Sequence, residues 1–207
     1  MPTAAPVLGL RERNRLRRTR RVERAALTLA LELGVDNVTV DMICEASDIS
    51  PRTYFNYFGT KEGALIGPEP SVPDEAFVDE FVQARGPLVE DLMLLIARGF
   101  FATEPDRDVF TMRRELYAKE PSLQAVQVAR MAGKRQATAE LVRRRLASQH
   151  PDMPETEARD EAQLVMSVAF GAFPVISRLW IERSGEEAEV ETYIHAAIAR
   201  IRRIVSP

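Results

Sequence analysis

Residues 39–61 read TVDMICEASDISPRTYFNYFGTK, a short span crowded with helix starts and stops. Thr39 can accept from the free amides of a helix beginning at Val40, and Asp41 puts negative charge in the first turn, where the helix dipole favours it. Val40, Ile43 and Ala46 recur at helical spacing and supply a small buried face. Ser47-Asp48 then reads as a turn, because Asp tolerates a left-handed backbone at modest cost. Ser50 is a second N-cap, followed by Pro51 at the first helical position, where a missing N–H is no loss. Ile49 lies just outside that cap and can staple against Tyr54.

The second helix divides into two faces. Tyr54 and Phe58, four residues apart, line up with Ile49 and are assigned to the core, whereas Arg52, Thr53, Asn56 and Tyr57 are assigned outward. Arg can pair with guanine O6 and N7, Asn with adenine N6 and N7, and a Thr methyl can meet a thymine methyl. Polar residues on a short helix are often only solvated. Here the two caps, the turn and the two-face split coincide, and together they describe a helix-turn-helix whose second helix fits the major groove.

Upstream, Val22, Ala25, Ala26, Leu29, Ala30 and Leu33 follow the amphipathic pattern of a third helix, which Gly34 ends. Seven arginines against one glutamate give residues 1–21 a net charge of +6, a segment drawn to phosphate without sequence information of its own. Residues 1–14 are expected to be a disordered arm.

An Arg-rich first helix ending in LELG, then VTVDMICEASDIS and PRTYFNYFGTKEGAL, resembles the N-terminal domain of the tetracycline-repressor (TetR) family of bacterial regulators over residues 15–66. The resemblance implies an all-α homodimer: a three-helix, homeodomain-like DNA-binding domain followed by a larger helical domain for effector binding and dimerisation. It also implies a DNA operator as partner and a small-molecule effector, with repression the family's usual mode and activation the alternative. Lys61 falls at the family's phosphate-contacting lysine; with Arg17, Arg18, Thr39 and Ser50 it completes the expected backbone contacts. Two positions depart from the pattern. Asp48 stands where the turn usually has Gly, and Phe55 where the family usually has Tyr, which leaves Phe55 unassigned between core and groove.

Charge separates two parts. Residues 1–61 hold ten Lys and Arg against seven Asp and Glu (+3), and residues 62–207 hold eighteen against twenty-four (−6). The acidic part should avoid the duplex and orient the basic end towards it. At 207 residues and 45% hydrophobic content the chain can fill a core in each part. A single cysteine, Cys44, excludes an intramolecular disulfide and reads as a small buried apolar group, with a redox switch as the alternative. No apolar run approaches a membrane span of about 20 residues and no secretory h-region is evident, so a cytoplasmic location without membrane contact is expected.

Residues 67–73, GPEPSVP, carry three prolines and are read as a connector between domains 15–66 and 74–207. Beyond it helices are expected over 74–84, 88–102, 106–119, 122–149, 155–183 and 188–205. The basic stretch 134–149 is either a second nucleic-acid site or a solvated helix face. Val168, Ala172, Ile176 and Leu179, with Ile194, Ile198 and Ile201, form two apolar stripes suited to a four-helix dimer interface, or to packing within one subunit. Phe101, Met112, Tyr117, Met131, Phe170 and Phe173 are candidates for the lining of a pocket for an apolar or amphipathic ligand, against plain core as the alternative; Arg113 and Arg114 could meet an acidic group. No phosphate-binding glycine loop or metal-spaced Cys/His cluster appears, and neither His150 nor His195 has triad company, so no enzyme, cofactor or metal is expected. A protein-binding adaptor of the same fold is the remaining reading.

Overall fold

A computed structural model describes residues 9–69, 75–103, 106–182 and 190–205. Its elements in chain order are α1 (Leu10–Leu33), a 3-10 turn (Val35–Asn37), α2 (Val40–Ser47), α3 (Pro51–Phe58), α4 (Lys61–Ile66), α5 (Glu75–Gln83), α6 (Leu88–Thr103), α7 (Arg107–Lys119), α8 (Pro121–Gln149), α9 (Glu155–Glu182) and α10 (Val190–Val205). No strand occurs among the described residues, as the all-α expectation requires. The expected arm falls mostly on residues 1–8, outside the described residues; from Leu10 the chain is already helical. Residues 70–74, most of the proline-rich connector, also lie outside them.

The chain groups into two compact units, one of residues 1–68 with 106–129 and the other of residues 69–105 with 130–207. This differs from the boundary read in the sequence. α7 and the start of α8 join the helix-turn-helix because Val109, Leu116 and Leu123 are buried in the same core as Val22, Leu27, Ile43, Tyr54 and Leu65. That extra layer explains why the buried face of α1 is broader than its apolar pattern. Glu23 and Leu27 are buried, while Leu33, assigned inward, is 44% exposed. In α2 the buried positions are Ile43, Cys44 and Ser47, and Ala46 turns to solvent. Ser47 is tolerated inside because its hydroxyl donates to the Ile43 carbonyl at 2.6 Å.

In the second unit α6 packs against α9 and α10. Arg145 of α8 is fully buried, and its guanidinium donates to the carbonyls of Phe81 (3.2 Å) and Gly86 (2.9 Å) and to Asp91 (2.6 Å). One side chain thereby fixes the turn between α5 and α6. Other charges of the basic stretch are also engaged, Lys134 with Glu69 and Arg143 with Glu140 and Glu155. This stretch is therefore partly structural, rather than a solvated face throughout. α9 carries an 18-residue window of mean hydropathy 1.7, apolar enough to cross a membrane by length and composition, contrary to the sequence reading. Within this unit that composition serves packing: Ala162, Met166, Ala169, Ile176 and Trp180 are buried.

Candidate nucleic-acid interface

The helix-turn-helix is built by its caps. Thr39 accepts from the Met42 amide (3.2 Å) to start α2, and Ser50 accepts from the Thr53 amide (3.2 Å) to start α3 with Pro51 in its first turn. Between them Asp48 adopts φ 51° and ψ 54°, the left-handed conformation usual for Gly. Its carbonyl accepts from Arg21 of α1 at 3.3 Å, which ties the turn back to the first helix.

Tyr54 anchors α3. The ring is fully buried, 5.2 Å from Phe58, and the hydroxyl lies 3.2 Å from the carbonyls of both Thr60 and Lys61. Burial pushes the phenol pKa well above its ordinary value, so it acts as a neutral donor. With that side fixed, Arg52, Phe55 and Asn56 are exposed, while Thr53 and Tyr57 are half-buried. α3 packs on both α2 and α4, which widens its buried arc over Thr53 and Tyr57. The most exposed side chains of the outward face are thus Arg52, Phe55 and Asn56, with Thr53 and Tyr57 at its margins. The Thr53 hydroxyl is also engaged, 2.9 Å from that of Ser50.

Arg17 and Arg18 are exposed on α1, as a phosphate-contacting role needs. Lys61 is different. Its ammonium donates to the Val35 carbonyl at 2.8 Å, bracing α4 against the 3-10 turn, and two of its three protons remain for a phosphate.

The C-terminal end of α4 is held by a cluster the sequence reading missed. Arg113 of α7 is buried; its Nε donates to the Leu65 carbonyl at 3.0 Å, and its guanidinium lies 3.7 Å from the buried Glu23 carboxylate. Tyr117 donates to the Ile66 carbonyl at 3.1 Å. These carbonyls belong to a last helical turn that has no intrahelical partners of its own. Gly67 follows at φ 83°, where a Cβ would lie 2.4 Å from the Arg113 guanidinium carbon. Burial raises the Glu23 pKa, a tendency that Arg113 opposes. The available signal was Glu23 itself, a carboxylate beside Val22 on the inward stripe, which requires a buried partner.

The remaining candidates are redistributed. Met112 and Tyr117 pack against the helix-turn-helix core, whereas Met131, Phe170 and Phe173 belong to the other unit. There Phe173 makes an edge contact with Phe100 at 4.9 Å, and the Arg135 guanidinium lies 4.3 Å over Phe170. The Phe101 side chain is outside the described residues. Two surface concavities sit elsewhere, one at Cys44, Glu45, Asp48, Ile49 and Ser50, the other at Gln149–Pro154 with Glu157. Of the stripes assigned to a dimer interface, Ala172, Ile176, Leu179, Ile194 and Ile198 are buried within the chain, since α9 and α10 pack on α6. Ile201 is half-buried, and Val168 stays exposed beside Leu164.

Comparison with known proteins is sharpest over this interface. Residues 24–65 match the family model for bacterial regulatory proteins, tetR family. Over 71 residues the chain is 45% identical to the HTH-type transcriptional regulator TcmR of Streptomyces glaucescens, a match covering 34% of this chain and 30% of that protein. Among solved structures, the Flavonoid-responsive Regulator FrrA aligns with a TM-score of 0.41 and 23% identity over 91% of this chain and 96% of its own. A putative TetR-family transcriptional regulator from Mesorhizobium loti aligns at 0.44 and 14% identity over the same shares.

Proposed function

We propose that this chain, whose residues 24–65 match the family model for bacterial regulatory proteins, tetR family, is a cytoplasmic transcriptional regulator of that family that binds a palindromic operator as a homodimer. Its mode is repression, relieved when a small apolar or amphipathic effector binds the second unit. The observation that carries the reading is the presentation of Arg52 and Asn56 side by side on a helix whose opposite face is locked by Tyr54. Two such helices would enter successive major grooves, with Arg17 and Arg18 on the flanking phosphates. Leu164 and Val168 on α9 and Ile204 on α10 are exposed apolar side chains that a partner subunit would cover. The reading gives no role to catalysis.

Binding of the purified chain to duplexes enriched from a random library tests the proposal. Arg52→Ala and Asn56→Ala should each lose about 1–3 kcal/mol on an enriched duplex and little on random DNA. Failure to enrich any duplex at low salt would favour the adaptor reading instead.

A further inference from the structure

We infer that Phe55 is a sequence-determining contact that selects a thymine, or another 5-methylated pyrimidine, through its methyl group. The inference rests on the DNA-binding reading above and adds to it a base and an atom. Phe55 is 51% exposed and is the only phenylalanine among the exposed large hydrophobic side chains of the described residues. It lies one turn on from Arg52 and next to Asn56, so an apolar ring shares the outward stripe with two hydrogen-bonding side chains.

Its position is fixed from beneath. The Phe55 ring meets Tyr54 edge to face, with centroids 5.7 Å apart and planes at 87°. Tyr54 in turn cannot move freely, being fully buried with its hydroxyl tied to the α3–α4 turn. The exposed ring is therefore preorganised. Having no donor or acceptor, it cannot pair with a base edge or a phosphate oxygen. The one apolar group a base edge offers in the major groove is the thymine C5-methyl, and covering it removes apolar surface from water on both sides.

Deoxyuridine removes that methyl and leaves every hydrogen-bonding group of thymine in place, so it isolates the contact. Each thymine of a library-enriched duplex would be replaced in turn by deoxyuridine and binding compared for wild type, Phe55→Ala and Phe55→Leu. For wild type, at least one position per half-site should weaken binding by about three- to fivefold, the effect of burying one methyl-sized group. Phe55→Ala should bind the thymine and deoxyuridine duplexes equally, and Phe55→Leu should keep part of the preference. Replacing cytosine by 5-methylcytosine at the same step should recover part of the preference that cytosine loses. If a duplex is enriched but no thymine is methyl-sensitive, or the sensitivity survives in Phe55→Ala, the inference fails and the DNA-binding reading stands. If no duplex is enriched, both fall.

Discussion

Replacing Arg113 by Met should loosen the helix-turn-helix, although the residue lies 61 positions beyond Arg52 in sequence. The Arg113 side chain is 6% exposed and its partner Glu23 4%, so the substitution strands a carboxylate that water cannot reach. Removing one member of a buried pair typically costs about 3–5 kcal/mol. The 3.7 Å separation is longer than a hydrogen bond, which places the expectation at the lower end. The Leu65 carbonyl also loses its donor, about 1–3 kcal/mol if it stays dry. Glu23→Leu combined with Arg113→Met removes the stranded charge and leaves only that carbonyl, so the double variant should recover about 2 kcal/mol relative to Arg113→Met. A chain of two compact units need not unfold in one step. The suitable assay is native-state hydrogen exchange at the α4 end, where the Gly67 amide donates to Gly63. If Arg113→Met leaves those amides protected to within about 0.5 kcal/mol, or the double variant is no better than the single one, the buried pair does not hold α4 as argued.

Gly67→Ala should destabilise the same region by about 1–3 kcal/mol from its glycine-only backbone alone. Its effect should shrink in an Arg113→Met background, since the added Cβ would collide with the guanidinium; stability of the two single variants and the double variant checks this. Glu23 predicts a pH dependence of definite sign. Its folded pKa is raised, so as pH climbs through the ordinary carboxylate range the unfolded chain releases its proton first. This contribution to stability is therefore fully present below the unfolded pKa and is lost as pH rises through the folded one. Glu23→Gln should flatten that part of the pH profile of α4 exchange, and an unchanged slope would remove Glu23 as its source.

The sequence was most legible where a backbone need selects a residue type. Thr39, Ser50, Pro51 and Gly34 mark helix ends because few side chains can satisfy an orphan amide or adopt a positive φ, and each stands in the expected place. Faces were less legible than ends. Periodicity identified the anchors Tyr54 and Ile43, but it does not say how wide an arc the neighbours will cover. Leu33, Ala46, Thr53 and Phe55 sit at the margins of such arcs, and they are where exposure departs from the pattern or settles what it left open. Partners distant in sequence were least legible. Nothing near Arg113 distinguishes it from Arg114, yet one is buried and the other exposed. The choice is made by Glu23 and by the open carbonyl of Leu65, in other helices.

The shortness of α4 gives that distinction its functional weight. A six-residue helix is marginal on its own, so its position must be set by contacts at its two ends. At the N-terminal end Tyr54 of α3 binds the Lys61 carbonyl and Lys61 binds that of Val35; at the C-terminal end Arg113 and Tyr117 of α7 bind those of Leu65 and Ile66. α3 and α7 thus grip opposite ends of one short rod, within a single compact unit. A displacement of α7 would act on α3 through hydrogen bonds to backbone carbonyls, with no flexible side chain to absorb it on the α4 side. Contiguity alone does not establish energetic coupling. The Glu23–Arg113 cycle, read at α3 amides as well as at Gly67, measures it directly: protection lost at both ends of α4 makes the rod a transmitter, and protection lost only at Gly67 makes it a local cap.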